Sequence, residues 1–272
     1  MFTSLLTAIG QLCILPVGSR FRKVTEGREG EVLVFFPFAG LLVGIVPATV
    51  LVLTSLVTMS QSLLPAALAV AALALVTGGA NLVSLAGTAD AAASGKAGAE
   101  ALDGDPAERI GAAGAVAVGL TLLVKFAALA GLKFQTDRPG AIIAIFLAAA
   151  LSRWAAVILA AYSEYARPEG GEDEWMVRYC GARELRWSLA PVTTLVAMAV
   201  IAWWAGVSTL GWLQVVLVAI GCLAVAYFAS LYFEKRFGGV TGRQLGAAIE
   251  VAETVALVIC AMPVAVGLNA PR

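Results

Sequence analysis

Seven long apolar stretches parted by short polar segments leave this 272-residue chain few folds to choose from. They run Val32–Met59, Leu63–Ala86, Ile110–Leu132, Gly140–Tyr162, Leu189–Val207, Leu210–Tyr232 and Val251–Leu268. A helix needs about 20 apolar residues to cross a hydrocarbon core, and each stretch reaches or approaches that length. The expected fold is therefore all-α: a single integral membrane domain over residues 1–272, built as a polytopic bundle of about seven transmembrane helices. Ahead of it, MFTSLLTAIGQLCILPVGSRFRK is apolar-biased, is broken by Pro16, and carries its charges after the apolar part. That order is unlike a signal peptide. A helix lying in or dipping into the membrane interface is the expected form, with a short span or a re-entrant helix as the alternatives.

Seven crossings put residues 18–31, 87–109, 163–188 and 233–250 on one side. Those segments hold 13 of the 18 Lys and Arg, while the opposite side has only Lys133, Arg138 and Arg272. Such a positive excess marks the cytoplasmic face, so the expected location is the cytoplasmic (inner) membrane with the charged loops turned to the cytoplasm. Polar chemistry gathered at one surface suits an enzyme acting on water-soluble or amphipathic substrates. A channel or transporter would need polar residues on both faces. The formal net charge is zero, which argues against nucleic acid as a partner, since that needs a basic face. Histidine is absent, removing the commonest general base and metal ligand; catalysis would fall to carboxylates, Lys, Ser/Thr or a bound metal. Cys13, Cys180, Cys222 and Cys260 are far apart and show neither metal spacing nor a disulfide framework.

Within the apolar stretches, Gly40-x-x-x-Gly44 is the small-residue spacing that lets membrane helices approach closely, and Pro37 and Pro47 are candidate kinks. Lys125 and Arg153 are charges inside apolar segments. Such residues face a cavity, snorkel to an interface or pair with a carboxylate. Lys125, two-thirds along its segment, is placed to snorkel outward; Arg153 is more central, and its donors suit a carboxylate or phosphate. The loop 87–109 reads as a flexible connector rich in Ala and Gly. The acidic run Glu169, Glu172, Asp173, Glu174 followed by Arg178, Arg183 and Arg186 reads as a solvated surface helix. Gly238-Gly239-Val240-Thr241-Gly242 precedes a helix carrying Glu250 and Glu253, either as an anion cradle of backbone N–H groups or as an ordinary turn.

Several of these stretches together resemble the cobalamin synthase family, the adenosylcobinamide-GDP ribazoletransferases. The family pattern F-P-L-x-G-L-L-x-G is similar to Phe36-Pro37-Phe38-Ala39-Gly40-Leu41-Leu42-Val43-Gly44, and an early L-T-R-L-P element to Leu12-Cys13-Ile14-Leu15-Pro16. A central T-G-G-x-H-x-D-G-L-A-D-x-x-D-G resembles Thr77-Gly78-Gly79-Ala80-Asn81-Leu82-Val83-Ser84-Leu85-Ala86-Gly87-Thr88-Ala89-Asp90-Ala91. D-S-R-I-G lines up with Ala107-Glu108-Arg109-Ile110-Gly111; Ser152-Arg153-Trp154 and Tyr165-Ala166-Arg167-Pro168 look like family elements too. The closing G-G-x-T-G-D-x-x-G-A-x-x-E-x-x-E is similar to Gly238 through Glu253. The departures are specific: Val83 and Gly87 stand at two of three clustered aspartates, Asn81 at the histidine, and Ala107 and Arg243 at further aspartates.

The resemblance implies transfer of the adenosylcobinamide-phosphate group from adenosylcobinamide-GDP to α-ribazole or its 5′-phosphate, releasing GMP, late in cobalamin biosynthesis. It implies Mg2+, for which carboxylates are natural ligands. Asp90, Arg109 and Arg153 are the candidate catalytic residues. Asn81, Lys125, Arg167, Thr241 and Gly242 are the candidates for binding substrate and phosphate, and Asp90, Glu250 and Glu253 for holding metal, the two glutamates sharing a helix face. Asp103, Asp105 and Glu108 are near enough in sequence to replace lost acids. Membrane lipid is the expected surrounding, and a homo-oligomer stays open. The lost aspartates carry the alternative: a catalytically impaired membrane homologue acting as a binding or structural protein.

Overall fold

The computed structural model describes residues 2–14, 29–58, 62–102, 109–132 and 137–262, and these are helical almost throughout. In chain order the helices are α1 (Phe2–Leu12), α2 (Glu29–Val34), α3 (Phe36–Val57), α4 (Leu64–Val76), α5 (Ala80–Ala93), α6 (Ala112–Gly131), α7 (Arg138–Ala161), α8 (Trp175–Arg178), α9 (Ala182–Trp204), α10 (Trp212–Phe237) and α11 (Gly242–Ala261). Six of them, α3, α6, α7, α9, α10 and α11, are long and apolar enough to cross a membrane, and α4 with α5 forms a bent pair that brings the number to seven. The protein is an integral membrane helix bundle.

The bundle is organised around α7, which α3, α9, α10 and α11 all contact. The sequence explains why it can be enclosed. Ala144, Ala148, Ala149, Ala150, Ala155 and Ala156 are each at most 1% exposed, so neighbouring backbones close in on small side chains. A Cβ on Gly40 of α3 would lie 2.5 Å from the carbonyl oxygen of Ala149, and one on Gly44 3.1 Å from the Phe146 ring. The Gly40-x-x-x-Gly44 spacing is therefore the α3–α7 contact. Pro37 sits in the first turn of α3, where its missing N–H costs nothing, and the helix runs unbroken past Pro47 to Val57. On the outside, α6 exposes Val116, Leu120 and Leu123, as a lipid-facing helix does. The N-terminal α1 has 11 residues, fewer than a crossing needs, and packs on α2 and α3; Pro16 lies outside the described residues.

Two expected boundaries are corrected. Leu63–Ala86 is not one straight span, because α4 and α5 meet at 84°. The break falls at Thr77-Gly78-Gly79, where Gly78 and Gly79 take positive φ of 62° and 70°, a conformation that glycine adopts without steric cost. Their N–H groups close the end of α4 by donating to Leu75 and Ala74 carbonyls. The first part of the expected 87–109 connector, as far as Ala93, is consequently helix. The final span begins at Gly242, not Val251, and α10 extends to Phe237, leaving four linking residues. Charge had suggested a loop reaching Glu250. Those glutamates enter the bundle because cations meet them inside it.

The connections sort into two ends. At one, Asp90 meets Gly111, Arg236 donates to the Ala92 carbonyl at 3.1 Å, Arg167 to that of Leu102 at 2.8 Å, and Gly242 to Asp173. At the other, Asp137 caps α7 through the Gly140 N–H at 2.8 Å and takes the Thr209 N–H at 2.7 Å, tying α7 to the α9–α10 turn.

Candidate active site

The sequence-predicted residues divide between a buried charge network and the polar end above it. Glu250 and Glu253, one turn apart on α11, point at α6 and α7. Lys125 of α6 donates to Glu250 and, at 2.5 Å, to Glu253 Oε1; Arg153 of α7 donates to Glu253 Oε2. Arg153 Nη1 also reaches the Ala149 carbonyl at 3.2 Å and Ser152 Oγ at 3.0 Å. All four charged side chains are at most 6% exposed. Two cations and two anions cancel, which is the condition for holding such groups out of water. Lys125 therefore turns inward to carboxylates instead of snorkelling outward, and Arg153 is an internal ion-pair partner.

Asp90 is elsewhere. It lies near the end of α5, and its two carboxylate oxygens accept the backbone N–H groups of Gly111 at 2.7 Å and Gly114 at 2.8 Å. These open α6, so Asp90 caps that helix from a neighbouring one. Both partners are glycine for a steric reason: a Cβ on Gly111 would lie 2.5 Å from an Asp90 oxygen, and one on Gly114 would strike the carboxylate and the Ala86 carbonyl. The expected cluster of Asp90, Glu250 and Glu253 does not form. Among the described residues no group of three Asp, Glu, Cys or His is arranged to hold a metal. The reason is chemical. The glutamates are already compensated by Lys125 and Arg153, and Asp90 by two N–H donors. The described donor set does not fit Mg2+, which takes several oxygen ligands in near-octahedral array. Asp103, Asp105 and Glu108 lie outside the described residues.

Thr241 is the N-cap of α11, where its N–H and hydroxyl both meet Gln244 Oε1, at 3.0 and 2.6 Å. Gly242 N–H donates to Asp173 of the segment following α7, so a protein carboxylate already faces the backbone donors that the sequence suggested as an anion cradle. Arg167 is half-buried, tied to the Leu102 carbonyl, and Arg109 is exposed just before Gly111. Asn81, 7% exposed, keeps Nδ2 without a partner, as do Thr88 Oγ1, Arg153 Nε and Gln244 Nε2. Buried donors without acceptors mark places that water or a bound molecule completes.

Sequence reasoning missed Asp173, Tyr165 and Gln244. Asp173 sat in an acidic run that reads as solvated surface; its other oxygen accepts the Tyr165 hydroxyl at 2.5 Å. That bond, together with burial as the larger cause, pushes the Tyr165 phenol above its ordinary range. Gln244 was legible in principle: Thr241-x-x-Gln244 is a capping-box spacing.

Together, the bundle and its polar end define an integral membrane protein whose exposed charged side chains collect mainly at one end, over a neutralised buried charge network. The family model for cobalamin-5-phosphate synthase matches residues 4–261, and the chain belongs to that family. Relatives named adenosylcobinamide-GDP ribazoletransferase are similar over nearly their full length. The Rhizobium etli (strain CIAT 652) protein is 31% identical over 264 residues, covering 95% of each chain. That of Pseudomonas paraeruginosa is 34% identical over 262 residues, covering 95% of this chain and 98% of the relative. That of Desulforamulus reducens is 29% identical over 255, covering 93% and 94%. No solved structure matches.

Proposed function

We propose that this protein catalyses the reaction for which its relatives are named: transfer of the adenosylcobinamide-phosphate group from adenosylcobinamide-GDP to α-ribazole or its 5′-phosphate. The α-ribazole oxygen forms a bond to the cobinamide-linked phosphorus, the phosphoanhydride bond breaks, GMP leaves, and the hydroxyl proton passes to a base. The observation that carries this reading is the end-to-end family match over residues 4–261. In such a transfer the protein supplies position and charge neutralisation. Arg109 and Arg167 neutralise phosphates at the polar end, Thr241 and Gly242 present the opening of α11, and Asn81 offers its unpartnered Nδ2. Asp90, each of whose oxygens keeps a lone pair beyond the N–H it accepts, receives the proton. The polar end faces the cytoplasm of a cell whose inner membrane holds the protein in lipid.

One observation favours a second reading. Asp90 serves as a helix cap and no metal donor set forms among the described residues, as suits a homologue that binds these substrates without turning them over. Purified protein assayed with adenosylcobinamide-GDP and α-ribazole, with and without magnesium, separates the two. Release of GMP with formation of the nucleotide-loop product supports the transferase. Binding of both substrates without GMP release establishes the second reading.

A further inference from the structure

Residues 164–174 form a strap across the opening of α11. Tyr165 pairs with Val240 in a parallel bridge, Ala166 N–H donates to the Val240 carbonyl at 3.0 Å, and Val240 N–H donates to that of Glu164 at 2.8 Å. Gly239, at φ 145°, makes the approach feasible, since a Cβ there would strike the Glu164 carbonyl and the Ala166 backbone. The strap then turns back, and Asp173 sets one carboxylate oxygen on the N–H of Gly242 and takes the Tyr165 hydroxyl on the other.

The same turn of α11 holds a second donor. Gln244 is 0% exposed, and its carboxamide oxygen is fixed at the opening by the Thr241 N–H and hydroxyl. Its Nε2 is buried and has no partner. A backbone N–H and an unpartnered amide N–H at one helix opening are donors for an anion. The carboxylate of Asp173 satisfies only the first. A phosphate has enough oxygens for both, and that difference in contacts is what lets one occupant displace another.

We propose that the opening of α11 is a phosphate site held closed by this strap, with Asp173 as a tethered occupant that the substrate's phosphate must displace. The inference rests on reading Thr241 and Gly242 as contacts to substrate phosphate. Once displaced, the Asp173 charge returns among Glu169, Glu172 and Glu174, and an incoming phosphate keeps it there by repulsion. Closure lowers apparent affinity by the fraction of molecules that are open; a site open in about one molecule in ten binds about tenfold more weakly.

The test uses the full chain in detergent, with inorganic phosphate and GMP as probes, followed by calorimetry and by hydrogen exchange over residues 164–176 and 240–246. Asp173→Ala should bind at least one probe tenfold or more tightly than the parent. Asp173→Asn, which keeps the fold of the strap more closely, should gain less. In the parent, the probe should speed exchange in 164–176, and Gln244→Leu added to Asp173→Ala should erase the gain. Equal affinities in parent and both Asp173 variants would overturn the gate while leaving the phosphate contact standing. Absence of binding by all of them, in protein that still turns over adenosylcobinamide-GDP, would overturn both.

Discussion

Lys125 Nζ lies 2.5 Å from Glu253 Oε1, joining α6, about two-thirds of the way along it, to the middle of α11, with both side chains buried. Removing one partner leaves a buried carboxylate unpaired, a change that costs about 3–5 kcal/mol. Lys125→Met should therefore lower the midpoint of thermal unfolding in detergent sharply. Adding Glu250→Gln should recover part of the loss, because Arg153 still compensates Glu253. A Lys125→Met protein as stable as the parent would show that the network contributes little.

The bundle itself was legible: the apolar lengths located most of the crossings, and Gly40 and Gly44 marked a close helix contact, whose partner α7 only the structure supplies. The network was not. Lys125 and Arg153 each announced a buried charge, yet nothing in their local sequence says that Glu250 and Glu253, some hundred residues on, supply the opposite sign. The same blindness placed the start of the last span at Val251 rather than Gly242. Asp90 was singled out by the family resemblance and misread in its geometry, because capping α6 depends on how α5 turns after Gly79, a tertiary outcome.

Asp90→Ala removes the acceptor for two N–H groups at the start of α6 and should cost about 0.5–2 kcal/mol, the usual loss for a helix cap. Asp90→Asn keeps one carbonyl acceptor, loses the other and the charge, and so preserves only part of the cap. If Asp90 takes the substrate's proton, the Asn variant should lose no more stability than Asp90→Ala while turnover falls a hundredfold or more. Turnover near the parent's in Asp90→Asn would leave Asp90 as a cap alone.

Topology can be read by labelling single cysteines, since all four native ones are buried. Lys96→Cys, Glu172→Cys and Lys235→Cys, all at exposed positions, should react with an impermeant maleimide from the cytoplasmic side. Arg138→Cys, also exposed, should react from the other. Labelling of Arg138→Cys from the same side as Lys96→Cys would refute the two-ended arrangement.

Cys180, outside the spans, has its thiol pushed up to about 12, by burial first and by the Glu184 carboxylate second. At pH 8 its thiolate is about one part in ten thousand, so alkylation of folded protein should be slow and rise about tenfold per pH unit. Because the folded value lies above the unfolded one, this thiol's contribution to stability is complete below about pH 8.5 and declines as pH rises toward 12. Fast alkylation of Cys180 at pH 8 would mean that the α8–α9 junction opens.

The 84° turn between α4 and α5 has a consequence for the lipid around it. Thirteen residues of α4 rise about 20 Å, some two-thirds of a hydrocarbon core about 30 Å thick. From there α5 leaves the line of α4 nearly at right angles, with Asn81, Ser84 and Thr88 along it. The pair is thus two short pieces set crosswise, where the other six candidate spans are single helices.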